Sequence, residues 1–193
     1  ATTYYLLPTT KTVLNFEQNR WSPLIPGYKL LTGSGLDRAT LVKFMQKTYQ
    51  ELYPDAVFSH LADTVEQHLS KATPLWLVEY LNPTQEQPIQ NPKSSSEAAR
   101  SAIQNPQVAC LWLGNAVDQV KGDRHSHIFL LYVAPEHRRK GIGTALMRHA
   151  EDWARARGDR QISLQVFCTN QPAVNLYQHL GYQTQSLWMV KSL

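Results

Sequence analysis

The sequence predicts an α/β (α+β) domain built on a mixed, mostly antiparallel six- to seven-stranded sheet flanked by helices. Two observations carry this. Apolar residues make up 42% of 193 residues, enough for one domain with a real core. Short β-favouring runs and longer amphipathic runs follow in the order β-α-α-β-β-β-α-β-α-β. Mostly consecutive strands followed by alternating ones imply a mixed sheet covered by helices.

Residues 1–25 contain Pro8 and Pro23 and read as an irregular N-terminal arm, leaving 26–193 as a single domain. "GYKLLTG" (27–33) is a short strand. Asp37 is placed to cap a helix whose stripe is Leu41, Phe44, Met45, Thr48, Tyr49 and Leu52, and Pro54 ends it. A second helix carries Leu61, Val65 and Leu69 on one face. "PLWLVEYL" (74–81) is a strand. Residues 82–106 are rich in Pro, Gln, Asn and Ser and read as an insertion. Within it, Ser94 and Glu97 have capping-box spacing, so 95–104 is either a short helix or disordered.

Two strands follow at 108–117 and 126–134, joined by a polar turn. Next comes a helix with Ile142, Leu146, Ala150 and Trp153 inward and Gly158 as its terminal cap. "QISLQVF" (161–167) is a strand. "NQPAVNLYQHLG" (170–181) is a helix with Ala173, Leu176, Tyr177 and Leu180 on one face. "YQTQSLWMVKSL" closes the chain as a strand.

Several classes are excluded or disfavoured. Cys110 and Cys168 form neither a disulfide framework nor a zinc motif, so no metal is expected, and a reducing cytoplasm is the default. No run of about 18 apolar residues occurs, so no membrane span is expected. The first residues lack the basic and apolar pattern of a secretory signal. Net charge is +4, but residues 121–193 carry +5 and residues 1–120 carry −1. This favours an anionic ligand in the second half and is too local for a nucleic-acid groove.

The basic excess centres on "VAPEHRRKGIGTAL" (133–146). A helix start leaves its first N–H groups unpaired and carries partial positive charge, so anions bind there. Gly141 and Gly143 let the backbone bend and a phosphate approach closely. Arg138, Arg139 and Lys140 add charge, and Thr144 adds a hydroxyl. The third glycine of a dinucleotide fingerprint is replaced by Leu146, and no Gly-x-x-x-x-Gly-Lys-Ser/Thr loop occurs.

"RRKGIG" (138–143) matches the pattern Arg/Gln-x-x-Gly-x-Gly/Ala of the GCN5-related N-acetyltransferases. "LLYVAPEHRRKGIGTALM" resembles the strand–loop–helix unit of that family, and "NQPAVNLYQHLGY" resembles its later Asn-x-x-Ala-x-x-Leu-Tyr motif. The resemblance is specific over 126–193 and implies the acyl-coenzyme A N-acyltransferase fold. It implies transfer of an acetyl group from acetyl-CoA, as co-substrate, to a primary amine by direct attack in a ternary complex. The alternative is a non-catalytic acetyl-CoA-binding sensor. By the resemblance, Arg138, Arg139, Lys140, Gly141, Ile142, Gly143 and Thr144 hold the pyrophosphate. Backbone of Leu131, Tyr132 and Val133 binds the pantetheine arm, Asn170 contacts it, and Tyr177 faces the sulfur.

Direct attack needs a deprotonated amine, a proton donor for the thiolate and a fixed N–H for the oxyanion. Tyr177 is the expected donor, since a neutral phenol donates to an incipient thiolate. Aligned on "RRKGIG", the position of the family's strand glutamate falls on His127, which can act as base near neutral pH. Glu79 is the second candidate, sharing a strand face with Leu75 and Leu77, either as base or as a partner for the ammonium. A water chain is the third. Tyr49, Tyr53 and Asp55 lie where the family's acceptor site begins. His60, His68, His149 and His179 read as surface, Cys168 as a buried thiol, and Trp76, Trp112, Trp153 and Trp188 as core. The acceptor is a small-molecule or protein amine. A homodimer is an assembly the resemblance allows.

Overall fold

The computed structural model describes residues 21–82 and 105–192. The strands are β1 (Trp21–Ile25), β2 (Tyr28–Thr32), β3 (Leu75–Tyr80), β4 (Gln107–Val117), β5 (Arg124–Val133) and β6 (Ile162–Leu164). The α-helices are α1 (Arg38–Leu52), α2 (Leu61–His68), α3 (Ile142–Arg157) and α4 (Gln171–His179). The strands lie side by side in chain order in one sheet. The first four pairings are antiparallel and β5–β6 is parallel. This is the mixed, mostly antiparallel sheet the sequence predicts, with six strands.

The central strands read as nearly continuous apolar runs because both faces are covered. Leu75, Leu77, Val78, Leu111, Trp112 and Leu113 are fully buried. Successive strand residues face opposite ways, so the two covers can be told apart. Tyr132 stacks on Phe44 of α1, which sets one face. Trp76 meets His149 and Trp153 of α3, which sets the other. α1 contributes Leu41, Phe44 and Met45 to the core, and α3 contributes Ile142, Leu146, Met147 and Ala150.

Several expectations are corrected. Residues 21–25 are not part of an arm: they form β1, antiparallel to β2. Pro23 is compatible with this because β1 is an edge strand, where a missing N–H costs no ladder bond. Residues 1–20 lie outside the described residues. So do 83–104, which hold most of the expected insertion and its short helix. The ends of that insertion meet where Tyr80 N donates to Pro106 O. Asp37 does not cap α1 with its side chain. Its carboxylate accepts instead from Ser34 N at 2.7 Å, closing a capping box one turn earlier.

The last two predicted strands also differ. "QISLQVF" pairs only over Ile162–Leu164, and 182–192 forms no strand. Leu187, Trp188, Met189 and Val190 are 79–87% exposed, so Trp188 is not core. β-favouring residues make a strand only when an edge is there to pair with, and β6 offers three residues. Cys168 is exposed rather than buried. His149 is half-buried against Trp76 rather than on the surface, and burial lowers its pKa.

Candidate active site

The site begins where β5 and β6 part. They pair only over Ser126–Ile128 and Ile162–Leu164, while β5 runs on to Val133. Ala134 N donates to Val108 O, so residues 134, 132 and 130 are those whose backbone groups face β4. The N–H and C=O groups of Leu131 and Val133 therefore point to the edge that β6 leaves open. Tyr132 differs from its neighbours, since its backbone faces β4 and its ring packs on Phe44.

A bulge shapes this edge from below. Trp112 pairs with Leu130 and Leu113 with Ile128, so Phe129 is an extra residue in β5. Its ring packs against Trp112, His127 and His68. The space it occupies exists because residue 114 is glycine: a Cβ there would lie 2.0 Å from the Phe129 ring.

Past Val133 the chain turns through Pro135–His137 into the basic loop. His137 is fixed by Tyr28, whose hydroxyl is hydrogen-bonded to Nδ1 at 2.9 Å. Arg139 has φ 62°, a left-handed conformation costly for a side chain other than glycine, and Gly141 has φ 86°. Alternating backbone of this kind turns successive N–H groups toward one point. Gly141 caps α3 without a side-chain hydrogen bond, and the first bond of the helix runs from Ala145 N to Gly141 O. Arg139, Lys140 and Gly141 are exposed, and Ile142 is buried as the anchor of the helix. Gly143 and Thr144 lie half-buried in the first turn.

Arg138 is already engaged. Its Nε donates to Val133 O at 2.8 Å, and Nη2 donates to both oxygens of Glu51 of α1 at 2.6 and 2.8 Å. It ties the loop to α1, while the loop's unpaired charges are those of Arg139 and Lys140.

α4 is set against this loop. A Cβ at Gly143 would lie 3.3 Å from Leu176 Cδ2. Asn170 Oδ1 caps α4 by accepting from Ala173 N. Tyr177, half-buried beside the Tyr182 ring, has a phenol pushed up to about 12 by burial. It is therefore neutral and a donor at physiological pH.

His127 pairs in register with Ser163 of β6, and its Nδ1 is hydrogen-bonded to Ser163 Oγ at 2.8 Å. Burial, aided by the neighbouring His125, lowers its pKa below the ordinary imidazole value. Glu79 is not brought to this centre. It sits opposite Gln107, whereas His127 sits opposite Gly114. Seven strand positions at about 3.3 Å each put them roughly 23 Å apart along the sheet. The near neighbour of Glu79 across the sheet is Lys29.

Two pairs of aromatic rings lie at and beyond the end of α1, half-buried Tyr49 and Phe58 and exposed Tyr53 and Phe167. Tyr49 stacks on Phe58, and Tyr53 meets Phe167 edge-on at 5.6 Å. This joins the end of α1 to the loop after β6. Phe167, Ser163 and His125 escaped the sequence reading. The alternation in "RHSHIF" was the signal for His125, since residues two apart on a strand share a face. Ser163 needed the register of β6, and Phe167 the packing of two distant loops. Among the described residues, no group of three metal-ligating side chains occurs and no helix is long and apolar enough to cross a membrane.

β5 and β6 thus part beside the glycine-led start of α3. Residues 104–182 match the model of the acetyltransferase (GNAT) family. The chain is 52% identical over 50 residues to a streptothricin acetyltransferase of Streptomyces lavendulae, a match covering 26% of each chain. It is 38% identical over 60 residues to mouse thialysine N-epsilon-acetyltransferase, covering 31% of this chain and 35% of that one. The matches thus span about a quarter to a third of these two relatives. A predicted acetyltransferase from Clostridium acetobutylicum, solved with acetyl-CoA, superposes with TM-score 0.63 at 16% identity, covering 86% of this chain and 96% of the other.

Proposed function

We propose that this domain transfers the acetyl group of acetyl-CoA to a primary amine by direct attack in a ternary complex. The observation that carries the reading is the edge of β5 beyond its three-residue pairing with β6, where the backbone groups of Leu131 and the N–H of Val133 face away from β4 and lead into the loop of Arg139–Thr144. An extended amide-bearing chain can pair with such an edge as a strand would, and the helix start favours a pyrophosphate. These features fit acetyl-CoA, which supplies an activated acyl group as its thioester. Arg139, Lys140, Gly141, Ile142, Gly143 and Thr144 form the pyrophosphate seat. Arg138 braces that seat through Glu51. Asn170 borders the arm and holds the start of α4.

The residue roles follow from the chemistry. An ammonium has no lone pair, so the acceptor must lose a proton before attack. His127, neutral near pH 7 and on a strand beside the open edge, takes that proton directly or through water. Tyr177 donates to the departing thiolate. The N–H of Leu131, rigid in the sheet, is the donor for the oxyanion. The aromatic rim of Tyr49, Tyr53 and Phe167, with Asp55 nearby, borders the acceptor side. The acceptors named for the relatives, streptothricin and thialysine, are the first to offer.

The test is coenzyme A release over a panel of amines, with a thermal shift by acetyl-CoA. Saturation at about 100 times the dissociation constant adds roughly 2.7 kcal/mol of stability. A shift without release from any amine would overturn the transferase reading, and no shift would overturn acetyl-CoA binding itself.

A further inference from the structure

His127 does not stand alone. His125 lies two residues back on the same face of β5 and is 5% exposed. Its Nε2 is hydrogen-bonded to Ser163 Oγ at 2.9 Å. The same Oγ contacts His127 Nδ1 at 2.8 Å. One serine hydroxyl thus joins two imidazoles. On the far side of His125, Nδ1 lies 3.2 Å from Gln161 Nε2, which donates to Asp118 Oδ2 at 3.0 Å. His125 and Gln161 also line a surface pocket with Asp123, Arg124 and Arg160. The chain of polar atoms therefore runs from His127 through the sheet edge to solvent.

A hydroxyl has one proton and can donate to only one ring at a time. The chain accordingly has two polarities. In the first, His127 Nε2 holds a lone pair, His127 Nδ1–H donates to Ser163, Ser163 donates to His125 Nε2, and His125 Nδ1–H faces the pocket. In the second, each proton has moved one place outward. His127 carries its proton on Nε2, Ser163 donates to His127 Nδ1, and His125 donates to Ser163 from Nε2. Gln161 then donates to the lone pair on His125 Nδ1. The amide nitrogen of Gln161, oriented by Asp118, stabilises the second state, the one reached once a proton has been taken up, while the first is the state that accepts it.

Resting on the reading of His127 as base, we propose that Ser163 and His125 form a proton exit path that carries the acceptor amine's proton from His127 to the Gln161 pocket. The amine's N–H bond breaks as His127 Nε2–H forms. The Nδ1 proton passes to Ser163 Oγ, the Ser163 proton passes to His125 Nε2, and the His125 Nδ1 proton leaves to water in the pocket. One proton enters and one leaves, and no ring keeps a second proton. That suits a buried pair of histidines, where two adjacent imidazolium charges would repel in a poorly solvated place. The chain resets by proton exchange with water at its two ends and rotation of the serine hydroxyl. Ser163 and His125 are positioning residues that act through His127.

The experiment compares Ser163→Ala, Ser163→Thr, His125→Phe and His127→Ala in kcat and KM, across pH and in mixed light and heavy water. The expected result for Ser163→Ala is a kcat lower by roughly 10- to 100-fold, an unchanged KM for acetyl-CoA, and a displaced acid limb of the rate profile. Ser163→Thr, which keeps the hydroxyl, restores both. The native enzyme gives a bowed dependence on the fraction of heavy water, and Ser163→Ala and His125→Phe give a straight one. Native rates and profile in Ser163→Ala, beside a slow His127→Ala, overturn the exit path and leave the base reading standing. A fast His127→Ala overturns the base reading itself. Equal loss in Ser163→Ala and Ser163→Thr with lowered melting temperatures makes the serine a packing residue and also overturns the path.

Discussion

The two sides of β5 are built differently. Toward β4 it pairs along its whole length, Arg124–Val133 against Ala109–Val117, in a buried antiparallel ladder. Toward β6 it pairs over three residues, in parallel, and then stands open. The β4 side is saturated: its backbone groups are satisfied and its side chains fill the core. On the β6 side the backbone groups of Leu131 and the N–H of Val133 point away from β4, while Val133 O accepts from Arg138 Nε. The difference teaches that one strand can be fully laddered on one edge and leave backbone groups facing away from any strand on the other. Substitutions on the two sides should accordingly fail in different ways.

The largest expected effect is on the open side. In the proposed mechanism Tyr177→Phe removes the proton donor and keeps the ring, so turnover should fall by about 10²–10⁴-fold with little change in acetyl-CoA affinity. Steady-state rates with calorimetric binding check this, and full activity would remove Tyr177 from the mechanism. On the closed side, Gly114→Ala should act on folding. Its Cβ would meet the Phe129 ring, a rigid neighbour held by Trp112, and overpacking of this sort costs about 1–3 kcal/mol. Denaturant melts measure it, and an unchanged midpoint would mean the bulge yields without cost.

The next effect is a titration. Burial, with His125 beside it, depresses the His127 pKa, so the ring is neutral and able to accept a proton above that lowered value. Activity should rise with pH through a limb below the ordinary imidazole value of about 6.5. That limb should disappear in His127→Ala. A limb above that value in the free enzyme would place the base elsewhere. The smallest effect is expected for Arg138→Ala. Its pair with Glu51 is substantially exposed, so the stability lost should be within about 1 kcal/mol. Acetyl-CoA affinity should weaken modestly as the loop loosens from α1. A loss of binding as large as that from replacing Arg139 and Lys140 together would show that Arg138 touches the phosphates itself.

Much of the closed side was legible in the sequence. The runs "PLWLVEYL", "VACLWLGNAV" and "SHIFLLYVA" are apolar because buried strands must be, and their positions were read to within two residues. The loop was legible too, since glycines, cations and an amphipathic helix lie within one local stretch. The open side was less so. "QISLQVF" has the composition of a seven-residue strand yet pairs over three, because pairing depends on where the neighbouring strand runs. "SLWMV" has the composition of a core strand yet is exposed for the same reason. Glu79 looked like an alternative to His127 until the register set them at opposite ends of the sheet.

By itself the sequence determined the order of the elements from β2 to α4, the middle strands of the core and the gathering of glycines and cations in the loop after β5. Those depend on periodicity, burial and backbone freedom, which are properties of neighbours along the chain. Only the tertiary structure decided that Leu131 and Val133 face an open edge, that Arg138 answers Glu51 across 87 positions, and that Ser163 lies between two histidines 36 and 38 positions away. Those are meetings between distant segments. Strand register and helix packing create them, and no local pattern encodes them.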